Sequence, residues 1–180
     1  IWKRLIGNEI SGKKMGIMGL GRIGKELAIK ANALGIKIKV YDPVIDDLFV
    51  KKNNIEVSSD VNSLVENIDI LCLTLPLNNN TRGIVNKKLL SKSDNLVIIN
   101  TSRALIVDQI SLIELLRENK IKAYLTDVLE KEPMDSSHPL LEFENVFITP
   151  HIGSRTYESV ERQGLMAVEN LKRELKKNKY

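Results

Sequence analysis

Short apolar runs alternate along the chain with stretches whose apolar residues recur every three or four positions. The runs at residues 15–18, 37–41, 70–75, 96–100, 123–128 and 146–149 predict strands, with a shorter one at 55–57. Between the first two, Ile23, Leu27, Ala28, Ala31 and Leu34 fall at helical spacing, and Gly35 stands where a helix C-cap belongs. Asp108 predicts the N-cap of a second helix holding Leu112, Ile113, Leu115 and Leu116. A long final helix over residues 153–177 carries Val160, Ala167, Val168, Leu171 and Leu175 on one face. Strands this apolar need cover on both faces, so the alternation predicts an α/β fold: a doubly wound parallel sheet in a three-layer α/β/α arrangement.

Composition narrows the functions this fold could serve. The chain has 180 residues and a formal charge of +4, much of it in the tail 171–180. Lysines at the end of a helix suit its dipole, so the tail reads as a solvated helix end. Aromatics make up 4% of the chain, too few for a base-stacking platform, and no nucleic-acid partner is expected. No apolar run approaches the roughly 20 residues of a membrane span, and the N-terminus does not resemble a signal peptide. The one cysteine, Cys72, sits in an apolar run and reads as an inert buried thiol, which fits a cytoplasmic setting. The two histidines are far apart in sequence, and no metal site is expected. The first residues are Ile1-Trp2 rather than a methionine, which reads as a fragment, a processed chain or a partial one.

Gly19-Leu20-Gly21-Arg22-Ile23-Gly24 follows the first strand and opens the first helix. In that context each glycine has a physical task. Gly19 permits the tight turn, Gly21 admits a pyrophosphate close to the backbone, and Gly24 lets helix and strand pack closely. Asp42 ends the second strand 18 residues past Gly24, where a carboxylate accepts bonds from ribose hydroxyls and repels a 2′-phosphate. NAD is therefore expected over NADP. With no repeat or linker in sight, residues 1–180 read as one Rossmann-type, dinucleotide-binding domain led by a connecting segment, 1–12.

Three later segments sharpen this reading. They are Leu73-Thr74-Leu75-Pro76-Leu77 with Thr81-Arg82-Gly83; Ile98-Ile99-Asn100-Thr101-Ser102-Arg103 leading to Leu125-Thr126-Asp127-Val128-Leu129-Glu130-Lys131-Glu132-Pro133; and Asn145-Val146-Phe147-Ile148-Thr149-Pro150-His151-Ile152-Gly153. Together, in this order, they resemble the D-2-hydroxyacid dehydrogenases, the family of phosphoglycerate, glycerate/hydroxypyruvate and D-lactate dehydrogenases. The resemblance implies hydride transfer between NAD(H) and a small 2-hydroxy or 2-oxo acid. It leaves the acid open and favours 3-phosphoglycerate. It also implies a homodimer and a separate substrate domain not carried by these 180 residues, without which the chain is expected to be inactive.

The resemblance assigns Arg103, Glu132 and His151 to catalysis. Residue chemistry agrees: a guanidinium fork grips a carboxylate in two bonds, an imidazole carries the hydroxyl proton, and a carboxylate beside it orients the ring. Cofactor contacts are implied for Arg22 and Ile23 at the pyrophosphate, Thr74 and Pro76 near the adenosine, Thr101 and Ser102 near the nicotinamide ribose, and Asp127 at the carboxamide. Gly153 and Ser154 follow His151 along the same wall. His138 reads as a loop residue. Ala104 departs from the glycine usual in the family and would be strained by about 1 kcal/mol if its φ were positive. Two other readings fit the same motifs: an NAD(H)-sensing module of corepressor type, and an inactive remnant.

Overall fold

The computed structural model describes Arg4 and residues 6–177; expectations that touch Trp2 and Lys179 lie outside them. The contacts divide the chain into two compact units, Ile1–Pro150 and His151–Tyr180. In the first unit the strands are β1 Lys14–Met18, β2 Lys37–Tyr41, β3 Glu56–Val57, β4 Ile70–Leu73, β5 Leu96–Asn100, β6 Ile121–Thr126 and β7 Val146–Ile148. All pair in parallel, in the order β3-β2-β1-β4-β5-β6-β7. The order reverses between β1 and β4, and a doubly wound sheet places its ligand cleft at such a point, beyond the carboxyl ends of the strands.

The helices of this unit are α1 Arg22–Ala33, α2 Asp47–Lys52, α3 Val61–Val65, α4 Lys87–Leu90 and α5 Gln109–Arg117. They sort into two layers because the strands alternate. Met15 and Ile17 of β1 and Cys72 of β4 join a core with Ala28, Ala31 and Val50 of α1 and α2. Met18, Leu71 and Leu73 face the other way, into a larger core with Leu64, Leu89, Leu112 and Leu115 of α3, α4 and α5. The three-layer arrangement expected from the pattern is present. Burial pushes the Cys72 thiol up to about 12, so it stays protonated and inert.

Several boundaries differ from the sequence reading. β4 stops at Leu73 because the Thr74 hydroxyl turns to donate to Gly19 O. β6 runs from Ile121 to Thr126 rather than 123–128, ended by Thr126 Oγ1, which donates to Val128 O and accepts from Val128 N. On α1 the buried face is Gly24, Ala28 and Ala31. Ile23 and Leu34 are exposed, and Leu27 packs partly buried beside the small residues that meet the sheet. The predicted cap of α5 is present, with Asp108 accepting from Ser111 N at 2.7 Å.

The second unit holds α6, Tyr157–Lys177. It begins four residues later than expected, because Gly153 and Ser154 form a turn closed by Arg155 N donating to Ile152 O, and Thr156 caps the helix by accepting from Ser159 N. No residue of α6 is buried, and Val160, Val168, Leu171 and Leu175 are 50–60% exposed. Among the described residues no helix is long and apolar enough to cross a membrane.

Candidate functional site

The glycine loop between β1 and α1 is shaped by three different constraints. Gly19 has φ 101°, and a Cβ there would lie 2.9 Å from the backbone of Thr74 and Leu75. At Gly24 a Cβ would lie 2.1 Å from Gly19 O, so only glycine lets the helix start this close to the strand. Gly21 is different: a Cβ would meet nothing within 4 Å. Its side is an open cradle. Gly21 is also the N-cap of α1, and no side chain caps that helix. The next four helices are each capped by a side chain, from Asp46, Asp60, Asn86 and Asp108. An uncapped N-terminus behind an open cradle, positive by its dipole, fits the diphosphate of a dinucleotide. Arg22 and Ile23 flank it, both exposed.

Two side chains hold this loop. Thr74 Oγ1 donates to Gly19 O at 2.6 Å and to Met18 O at 3.3 Å, so its hydroxyl is committed to the loop. Asp42, at the end of β2, accepts from Leu20 N at 2.7 Å through Oδ2 and from Val44 N at 2.9 Å through Oδ1. The carboxylate is thereby locked beside the glycines. Each oxygen has further acceptor capacity, so the geometry suits the ribose hydroxyls beside a bound diphosphate. Pro76 lies exposed in the next loop, where its carbonyl accepts from Thr81 Oγ1.

The carboxyl ends of β5, β6 and β7 form the rest of the wall. Asn100 is fully buried, and its amide organises the loop that follows: Nδ2 donates to Arg103 O at 3.0 Å, and Oδ1 accepts from Ser102 N at 3.0 Å. Ser102 Oγ donates to Leu73 O at 2.8 Å, tying this loop back to β4. Thr101 and Arg103 are exposed, and Arg103 Nη1 donates to Ser102 O at 2.6 Å. Ala104 begins a 3-10 turn, Ala104–Ile106, and is not among the residues with positive φ, so the strain anticipated for it does not arise. Asp127 is 8% exposed. Its N donates to Asn100 O, and its Oδ1 accepts from Thr149 Oγ1 at 2.5 Å. Glu132 is exposed, accepts from Leu129 N at 2.9 Å through Oε1, and precedes a cis proline.

Thus the glycine loop, Asp42, Thr74, Ser102, Arg103 and Asp127 line the strand ends of the first unit. His151, Gly153 and Ser154 belong to the second. His151 has φ 54°, in the left-handed region; the other described non-glycine residues with positive φ are all asparagines. His138, as expected, is structural: its Nδ1 accepts from Leu140 N. Asn100 and Thr149 had been given no role. A buried amide at a strand end and a hydroxyl next to Pro150 are too common in sequences to stand out, and only their partners reveal them. Among the described residues no cluster of His, Cys, Asp or Glu could hold a metal ion.

Comparison with known proteins identifies the family. Residues 1–153 match the family model described as D-isomer specific 2-hydroxyacid dehydrogenase, NAD binding domain. The chain is 37% identical over 175 residues to D-3-phosphoglycerate dehydrogenase of Methanocaldococcus jannaschii, covering 97% of this chain and 33% of that protein. It is 38% identical over 170 residues to glyoxylate reductase of Aeropyrum pernix, covering 93% of this chain and 50% of that one. The crystal structure of D-lactate dehydrogenase from Aquifex aeolicus, complexed with NAD and lactic acid, superposes with a TM-score of 0.87 at 28% identity, over 96% of this chain and 56% of that one. The chain therefore spans between a third and somewhat over half the length of these relatives.

Proposed function

The chain belongs to the D-isomer specific 2-hydroxyacid dehydrogenase family, matching its NAD-binding domain, and from that premise we propose that the protein it forms is an NAD-dependent D-2-hydroxyacid dehydrogenase. The observation that carries the cofactor half is the uncapped start of α1 behind the open side of Gly21, with Asp42 locked beside it. In this reading Gly19, Gly21 and Gly24 with Arg22 and Ile23 hold the diphosphate, and Asp42 takes the adenosine ribose hydroxyls and disfavours a 2′-phosphate. Thr74 and Pro76 border the adenosine, Thr101 and Ser102 the nicotinamide ribose, and Asp127 the carboxamide. NAD, when bound, supplies the hydride acceptor or donor.

The chain's own groups do the remaining work. Arg103 stands exposed at the mouth of the β5 loop, its backbone fixed by Asn100, and grips the carboxylate of a 2-hydroxy or 2-oxo acid through two parallel bonds. His151 takes the hydroxyl proton during oxidation and returns it during reduction, and the family's pattern makes Glu132 the third member of the catalytic set. The left-handed backbone of His151 supports a functional constraint there, since such strain persists where the surroundings over-determine it. Gly153 and Ser154 continue beside it. We assign the substrate class as small 2-hydroxy acids and the 2-oxo acids they interconvert with; 3-phosphoglycerate, a 2-hydroxy acid, and glyoxylate, a 2-oxo acid, are among the candidates because relatives carry those names. A second domain outside these 180 residues supplies the opposite wall of the cleft, a second copy of the chain completes a homodimer, and the setting is cytoplasmic.

Two measurements on the full-length protein test this. Titration should give tighter binding of NADH than of NADPH, and NADH absorbance should fall when a 2-oxo acid is added. His151→Ala should lower kcat by roughly 10²–10⁴ while leaving NADH affinity nearly unchanged. Binding without turnover under any 2-oxo acid would favour a sensing module instead.

A further inference from the structure

Beyond the two strand ends that the fold itself requires to pair, one side chain makes a bond the sheet does not need. Thr149 follows β7, and its backbone N donates to Thr126 O at 2.9 Å, which continues the ladder to β6. Its hydroxyl then reaches the residue just past the end of that strand, donating to Asp127 Oδ1 at 2.5 Å. The hydroxyl must be the donor if the carboxylate is ionised, since an ionised carboxylate only accepts. Any residue other than proline at 149 would keep the ladder bond, and only Thr or Ser would keep the second one.

We propose that Thr149 is a positioning residue for the nicotinamide end of the cofactor site, acting through Asp127. The proposal rests on the cofactor reading given above. Asp127 is almost wholly buried at a strand end, so its carboxylate has little water to satisfy it. A donated hydroxyl gives this carboxylate a fixed partner and restricts which way it turns. Thr is stiff at χ1, and here its backbone is pinned on the same side, so the donor itself is well fixed. An ionised, oriented carboxylate presents only acceptors. It therefore reads the amide N–H side of a carboxamide and rejects a group that offers a carbonyl alone. Thr149 thus acts on discrimination between cofactor head groups rather than on adenosine binding.

Three probes separate these effects: NADH; the reduced acetylpyridine analogue, whose methyl ketone has no N–H; and ADP-ribose, which lacks the nicotinamide ring. Dissociation constants are measured for the wild type, Thr149→Val, Thr149→Ser and Asp127→Asn, with thermal melting of each. The wild type should prefer NADH over the acetylpyridine analogue by about tenfold or more. Thr149→Val, close in shape but without the donor, should shrink that ratio roughly three- to tenfold, leave ADP-ribose affinity unchanged, and be rescued by Thr149→Ser. Thr149→Val with the wild-type ratio, while Asp127→Asn abolishes it, overturns the role of Thr149 and leaves the cofactor reading standing. Equal loss of all three ligands also overturns it, because the effect would then be structural. A wild type that binds none of the three overturns the cofactor reading itself and the proposal with it.

Discussion

Two glycines three residues apart make the sharpest test of the nucleotide loop, because alanine at each should fail in a different measurement. At Gly24 the new Cβ would sit 2.1 Å from Gly19 O. One of the two must move by roughly an ångström, and Gly19 O is itself held by the Thr74 hydroxyl. Overpacking of this kind costs about 1–3 kcal/mol. For a chain of this size each kcal/mol lowers Tm by roughly 2–4 °C, so Gly24→Ala should lower Tm by roughly 2–12 °C in the absence of cofactor. At Gly21 the backbone is extended, φ −70° and ψ −166°, and the new methyl meets nothing within 4 Å. Alanine is a poorer N-cap than glycine, but it also reduces the freedom of the unfolded chain, and the two effects are each below about 1 kcal/mol and opposed. The Tm of Gly21→Ala should stay within about 2 °C of the wild type. The methyl does, however, fill the cradle through which phosphate would reach the α1 N-terminus. Loss of one charge-assisted bond, about 1.5–3 kcal/mol, weakens NADH binding roughly 10- to 150-fold. Thermal unfolding and NADH fluorescence titration on the same samples read both numbers. Wild-type NADH affinity in Gly21→Ala would refute the placement of the diphosphate.

The parts of this fold that could be read in the sequence are those where one physical demand dominates. Strands β1, β4 and β5 are apolar on both faces because each lies between two helical layers, and their positions followed directly. Where side chains satisfy neighbouring backbone, the pattern ran past the true ends: Thr74 ends β4 and Thr126 ends β6, each with a hydroxyl that apolar periodicity does not register. The helices α2, α3 and α4 are four to six residues long, too short for a 3.6-residue period, and only their caps at Asp46, Asp60 and Asn86 mark them. Ile23 and Leu34 misled for the opposite reason. They keep helical spacing, but the face that packs on the sheet is set by the smallness of Gly24, Ala28 and Ala31. The site divides in the same way. Gly19, Gly24 and Asp42 follow from steric and hydrogen-bonding demands visible at short range. Arg103, Glu132 and His151 came from resemblance, since residues separated by up to 48 positions carry no mutual signal in one sequence. Asn100 and Thr149 act through partners 2 to 24 residues away and needed coordinates.

Other substitutions probe single interactions. Asp42→Ala should weaken NAD binding and narrow the gap to NADP, by comparison of dissociation constants; a wild type that prefers NADP would contradict the role of Asp42. Arg103→Lys keeps the charge and loses the fork, so kcat/KM of the full-length enzyme should fall tens to over a hundredfold, and an unchanged value would remove Arg103 as the carboxylate clamp. The last concerns the helix that follows the Arg103 loop. Asp108 caps α5 by accepting from Ser111 N, and α5 buries Leu112, Leu115 and Leu116 in the larger core. The Ser111 side chain and then its backbone hold the Asp108 carboxyl below the ordinary carboxylate value, against a small opposing effect of burial. A pKa lowered in the folded state means that the ionised carboxylate adds stability above the unfolded value, about 3.9, and that this addition is lost as pH falls through the lowered folded value. Asp108→Ala should therefore cost about 1 kcal/mol near neutral pH, a Tm drop of roughly 2–4 °C, and its deficit against the wild type should shrink below about pH 3.9. Asp108→Asn keeps an acceptor for the cap and removes the charge that titrates, so it should lie near the wild type at neutral pH. Melting curves of all three from neutral to acidic pH decide the matter: an Asp108→Ala deficit that is absent at neutral pH, or that grows on acidification, would show that the carboxylate does not secure the helix.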